Sequence, residues 1–137
     1  MESIKIDKTV RRPIEKVWNY YTQPSHIINW NFAHESWHCP NAENNLQVNG
    51  KLECRMEAKD QSFGFEFVGI YDEIILNKKI KCHLEDGRKV EIIFQSPNSQ
   101  ETKIEIIFDP ESINPIEMQK EGWQAILDNF CHYAETH

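Results

Sequence analysis

The sequence predicts an α+β fold in which a curved antiparallel sheet of six or seven strands wraps around one long C-terminal helix. Three observations carry this. From Gly50 to Phe108 apolar and polar residues alternate in runs broken by turn signals, the pattern of strands with one wet and one buried face. The last stretch repeats apolar residues at helical spacing. Before the strands come one alternating segment and two short helical patterns. With 137 residues, the chain reads as one domain, residues 1–137.

Each element has its own signal. In residues 2–10, Ile4, Ile6 and Val10 share a face, which predicts a first strand. Pro13 sits where a first helical turn tolerates it, and Ile14, Val17, Trp18 and Tyr21 follow at helical steps. Gln23-Pro24 ends that helix, and a shorter one is expected over Ser25–Trp30 with Ser25 as its cap. NAENN and VNG, within residues 41–50, are turn-rich. KLECRMEA then places Leu52, Cys54 and Met56 on one face. In FGFEFVGIYDEI, Phe63, Phe65, Phe67, Gly69 and Tyr71 share a face opposite Glu66 and Asp72. Asp86-Gly87 is a strong hairpin signal between KIKCHLE and RKVEIIF, and SPNSQ separates the latter from TKIEIIF. Ile116, Trp123, Ile126, Leu127 and Phe130 form the stripe of the last helix, which runs to about Ala134. Gly122 inside it points to close approach to another backbone or is a single tolerated glycine. A sheet with one apolar face must cover that face, and this helix is the only long element available to do so.

The segment HESWH, residues 34–38, fits the H-E-x-x-H pattern of zinc peptidases. The pattern has chemical meaning only on a helix, where two histidines four apart stand roughly 6 Å apart along the axis. On a strand the same pair is about 13 Å apart, too far for one zinc. Pro40 follows two residues after His38, so Ser36–Cys39 is read as extended and no metal site is expected.

Composition narrows the classes further. The formal net charge of −7 and scattered basic residues argue against nucleic acid as a partner. No apolar run is long enough to span a bilayer, and MESIKIDKTV has no charged-then-apolar signal pattern, so a cytoplasmic location without membrane association is expected. Cys39, Cys54, Cys82 and Cys131 form no C-x-x-C pair and read as reduced, small apolar residues. No Ser-His-Asp arrangement, phosphate loop or dinucleotide motif is present, so no cofactor and no catalytic residue is assigned.

Four stretches in order resemble a known family: RRPIEKVWNYYTQPSHIINW (11–30), FVGIYDEI (67–74), DGRKVEIIF (86–94) with TKIEIIF after it, and EGWQAILDNFCHY (121–133). Together they resemble the START-like (SRPBCC) helix-grip superfamily. Within it they resemble the family named for homology to the activator of the heat-shock protein 90 ATPase. Asn49-Gly50 stands where members often have Gly-Gly, and Asn29-Trp30-Asn31 where many have consecutive tryptophans. The resemblance implies a helix-grip fold and, commonly, an apolar cavity between sheet and helix.

The wall of such a cavity would be Phe65, Phe67, Gly69 and Tyr71 from the sheet and Trp123, Ile126, Leu127 and Phe130 from the helix. Gly69 would leave a gap among the aromatics. His38, Glu53, Tyr71 and Gln119 are candidates for the few polar groups such pockets carry. The same aromatics could instead fill a solid core. Three roles are open: binding a small hydrophobic molecule without chemistry, a cavity enzyme of cyclase or hydrolase type, or a stress-response partner of the chaperone. The activator's characteristic N-terminal domain has no counterpart in this sequence. The oligomeric state is open between monomer and homodimer. Zinc titration by calorimetry is expected to show no tight one-to-one binding, in the parent or in His34→Ala; a tight site lost in the variant would reinstate the peptidase motif.

Overall fold

The computed structural model describes residues 2–137. Seven strands form one antiparallel sheet: β1 Ile4–Val10, β2 Trp37–Asn44, β3 Lys51–Ala58, β4 Gly64–Ile75, β5 Lys79–Leu84, β6 Lys89–Asn98 and β7 Glu101–Phe108. Their order across the sheet is β1-β7-β6-β5-β4-β3-β2. Helices α1 (Ile14–Thr22) and α2 (Pro24–Ile27) carry the chain from one edge, β1, to the other, β2. The strands then return one by one until β7 pairs with β1, Ile6 opposite Ile106. Helix α3, Ile116–Thr136, lies on the inner face.

Alternation sets the faces. Along β7 every second residue from Thr102 to Phe108 is buried, and the same holds for Val90, Ile92 and Phe94 of β6. The outward residues between them carry surface ion pairs such as Lys5–Glu105 and Lys81–Glu91, which add little to stability. Gly87 closes the β5–β6 hairpin at φ 90°, in the left-handed region that favours glycine.

Several boundaries differ from expectation. Helix α2 begins at Pro24, with Gln23 rather than Ser25 at its N-cap, because proline suits the first helical position. Strand β2 runs through NAEN, which its turn-rich composition hides. It is an edge strand, so Pro40 is tolerated where the register shifts between His38 and Asn41. In HESWH, His34 and Glu35 lie in a turn and His38 in β2. The Ser36 amide donates to His34 Nδ1 at 3.1 Å. The two imidazoles share no helical face. Among the described residues, no group of three or more His, Cys, Asp or Glu side chains could hold a metal ion. All four cysteines are free and buried.

Helix α3 is held at both ends. Trp123 stacks on Phe108 of β7 with ring centroids 4.0 Å apart. Phe130, fully buried, meets Trp30 at 4.9 Å and Tyr21 at 5.2 Å. Asn129 donates to the Trp30 carbonyl at 2.9 Å, and the Arg11 amide donates to Glu135 Oε2 at 2.9 Å. Gly122 is not a point of close approach, since a Cβ there would meet nothing within 4 Å. Gly122→Ala is therefore expected to stabilise the protein by about 0.5–1 kcal/mol through backbone entropy alone. Urea denaturation should show a raised midpoint at unchanged slope; a loss of stability would mean that the glycine has a packing role.

Candidate functional site

Helix α3 packs mainly against β1 and α1, so the inner face of β3 to β6 is left incompletely covered. A pocket of about 300 Å³ remains there. Its sheet wall is Leu52 and Met56 of β3, Phe65, Phe67 and Tyr71 of β4, Ile80, Cys82 and Leu84 of β5, Val90 and Ile92 of β6, and Ile106 of β7. Trp123, Ile126 and Leu127 face them from α3, and Tyr21, Ile27 and Trp30 close one end. Thr22, Asn31 and Arg88 complete the lining. Phe65, 44% exposed, marks an open rim, where it forms an aromatic cluster with Trp37 and Phe63.

The wall's Thr22 and Tyr71 hydroxyls are already used. Thr22 Oγ1 donates to the Trp18 carbonyl at 2.8 Å. Tyr71 donates its hydroxyl to Asn44 Oδ1 at 2.6 Å, and Asn44 Nδ2 donates to the Thr22 carbonyl at 2.7 Å. The reason lies in α1. Its last carbonyls have no helical partner because Pro24 follows. Asn44, at the end of β2, supplies one and so ties helix, edge strand and the β4 tyrosine together. The Tyr21 hydroxyl has no protein hydrogen-bond partner among the described residues. Arg88 Nε donates to Asp86 Oδ2 at 2.7 Å, and its backbone amide donates to Asp86 Oδ1 at 3.1 Å. Burial pushes the Cys82 thiol up to about 12, with the Asp72 charge adding to it. Burial likewise raises the phenols of Tyr21 and Tyr71 above their ordinary range.

The expected wall residues divide. Phe65, Phe67, Tyr71, Trp123, Ile126 and Leu127 come together around the pocket. Phe130 does not reach it, because one turn further along α3 it is packed into the Tyr21–Trp30 cluster. Gly69 is on the same face but is not part of the lining; a Cβ there would touch the wall residue Cys82 at Sγ, 3.4 Å away. Glu53 pairs with Glu43 and Val68 on the outer face, because it alternates with Leu52 and Cys54. His38 stands on edge strand β2 opposite Glu57, away from the wall. Gln119 is buried, but its amide donates to the Glu111 and Asn114 carbonyls and accepts from the Glu111 amide, bracing the turn before α3. His83 is on the outer face, with Nδ1 2.8 Å from Asp72 Oδ1. The lining residues not anticipated include Leu52, Met56, Ile80, Cys82, Leu84, Val90, Ile92 and Ile106, whose signal was available, and Tyr21, Trp30 and Arg88, which lie outside the strands. The strand residues among them are inward positions whose parity is plain in the sequence.

A curled antiparallel sheet, a long C-terminal helix across its inner face and a pocket between them define a helix-grip protein. The chain belongs to the Activator of Hsp90 ATPase homolog 1-like protein family, whose model matches residues 11–135. The AHSA1-like protein from Aeromonas hydrophila is 34% identical, with a TM-score of 0.87 over 97% of this chain and 93% of that one. A Cytophaga hutchinsonii protein of known structure is 44% identical, with a TM-score of 0.84 over 98% and 92% of the two chains. The Aha1 dimer from Colwellia psychrerythraea shares the fold, with a TM-score of 0.76 at 12% identity over 98% of this chain and 97% of that one. No curated protein sequence is significantly similar. No helix of the described chain is long and apolar enough to cross a membrane.

The Asn44 link is open to a direct test. Asn44→Ala is expected to cost about 1–3 kcal/mol, since it strands the Tyr71 hydroxyl and the Thr22 carbonyl. Tyr71→Phe in the Asn44→Ala background should add clearly less than it does alone. Additive losses in urea denaturation would show that the two side chains are not coupled.

Proposed function

We propose that the protein binds a small, mainly apolar molecule in this pocket and performs no chemistry on it. The observation that carries the reading is the state of the lining. Its surface is overwhelmingly aliphatic and aromatic, and pockets of this size and character take small ligands. General acid–base catalysis needs a group that titrates near the working pH. The ionisable wall groups are two phenols and a thiol, all pushed upward, and an arginine, which stays protonated. None is an acid or base poised near neutrality. The four stretches that carry the family resemblance also supply wall residues, among them Tyr21, Phe67, Arg88 and Trp123.

Two tryptophans in the wall, Trp30 and Trp123, provide the readout. An apolar ligand is expected to change their emission saturably, and native mass spectrometry should detect a one-to-one adduct. Ile126→Trp replaces a branched aliphatic side chain in the wall with a bulky indole ring. It should abolish both signals while costing about 1–3 kcal/mol of stability. Binding that survives in a folded Ile126→Trp protein would move the site elsewhere. The absence of both an adduct and a saturable change in the parent protein would remove the reading.

A further inference from the structure

Resting on that reading, we propose that the ligand is an amphipathic monoanion, its carboxylate received by Arg88 and its apolar body lying along β6 toward Tyr21. Arg88 is the one charged residue in the lining, and no acidic side chain shares the wall. It is also oriented. The β5–β6 hairpin places it directly before β6, and Asp86 grips both its backbone amide and its Nε. A guanidinium offers five donors in a planar fork. Asp86 takes the Nε edge, and among the described residues Nη1 and Nη2 have no protein partner. Those two nitrogens match a carboxylate bidentately.

Position and charge agree with this. Val90 and Ile92 continue the wall from Arg88 along the same face of β6. Four residues of strand span roughly 13 Å, and Tyr21 lies beyond, against Phe94 at 5.7 Å. The pocket therefore has the Arg88–Asp86 ion pair at one end, with the Nη edge of the guanidinium turned to no protein acceptor, and an uncharged aromatic end at the other. The Arg88 side chain keeps 29% of its surface exposed, so a bound carboxylate would remain partly solvated at the rim and avoid the full penalty of burying a charge. The chain as a whole carries −7, a field that repels anions. Selectivity for an anion would have to come from this local cation and would weaken with added salt.

The test compares decanoate, decanol and decylamine by tryptophan fluorescence titration in the parent protein and in Arg88→Gln. Decanoate is expected to bind at least tenfold more tightly than decanol, and decylamine more weakly than either. In Arg88→Gln the decanoate advantage should disappear while decanol affinity stays within about twofold, which also shows that the variant is folded. Equal binding of decanoate and decanol would overturn the anion assignment and leave the pocket reading intact. A decanoate preference that persists in Arg88→Gln would overturn the role of Arg88. No saturable binding of any of the three would overturn both.

Discussion

One helix has to cover seven strands. Six interstrand spacings of about 4.8 Å make the sheet roughly 29 Å wide if flat, while a helix with its side chains is about 10–12 Å across. The apolar inner face cannot be covered by α3 unless the sheet curls and other elements help. Here α3 is seated toward the β1 side, and α1 and α2 close one end. The uncovered remainder falls over β3 to β6, where the pocket is found. Its position follows from where the helix is anchored. Trp123 on Phe108 and Phe130 in the Tyr21–Trp30 cluster hold α3 away from β4 and β5.

The same anchoring explains the polarity of the wall. The end of α1 needs a partner for a free carbonyl, and Tyr71 needs a buried acceptor. Asn44 meets both needs at once and joins them to the end of β2. Polar groups satisfied in this way hold the wall in shape but are not offered to a ligand. The groups not taken up in this way are the Tyr21 hydroxyl at the closed end, the Asn31 amide and the Arg88 fork beside the β5–β6 hairpin.

The fold was largely legible because period-two alternation in β3 to β7 and the stripe of α3 are strong, local signals. Strand β2 was not, because an edge strand with a register shift can carry Pro40 and NAEN without breaking a central ladder. The site was legible only in part. Phe65, Phe67, Tyr71, Trp123, Ile126 and Leu127 follow from face and spacing. Glu53 fails on parity that could have been counted, since it sits between two inward residues. Phe130 and Gln119 fail for a different reason. Both point inward from α3, but what they meet is set by α1, α2 and the turn before the helix. No periodicity along α3 encodes those contacts. Arg88 is hidden in the same way, because a charged residue after a hairpin glycine ordinarily reads as solvated surface.

Retaining a space of this size needs a physical reason. A sealed, dry apolar void of about 300 Å³ would cost roughly 7 kcal/mol at about 24 cal/mol per Å³. That is comparable to the entire stability of a typical domain, about 5–15 kcal/mol. Larger side chains at Leu84, Val90 or Ile92 would reduce it, and hydrophobic cores tolerate such changes when volume is matched. The wall instead keeps medium-sized aliphatics around the space and opens it at Phe65, where the interior meets solvent. An open rim lets water or a guest relieve the void. Water gains few hydrogen bonds there, because the lining is mostly aliphatic and aromatic. An apolar guest loses nothing by that lack and gains the dispersion contacts that the lining otherwise forgoes. The energetics that would make an empty pocket unstable are thus the same ones that favour its occupation.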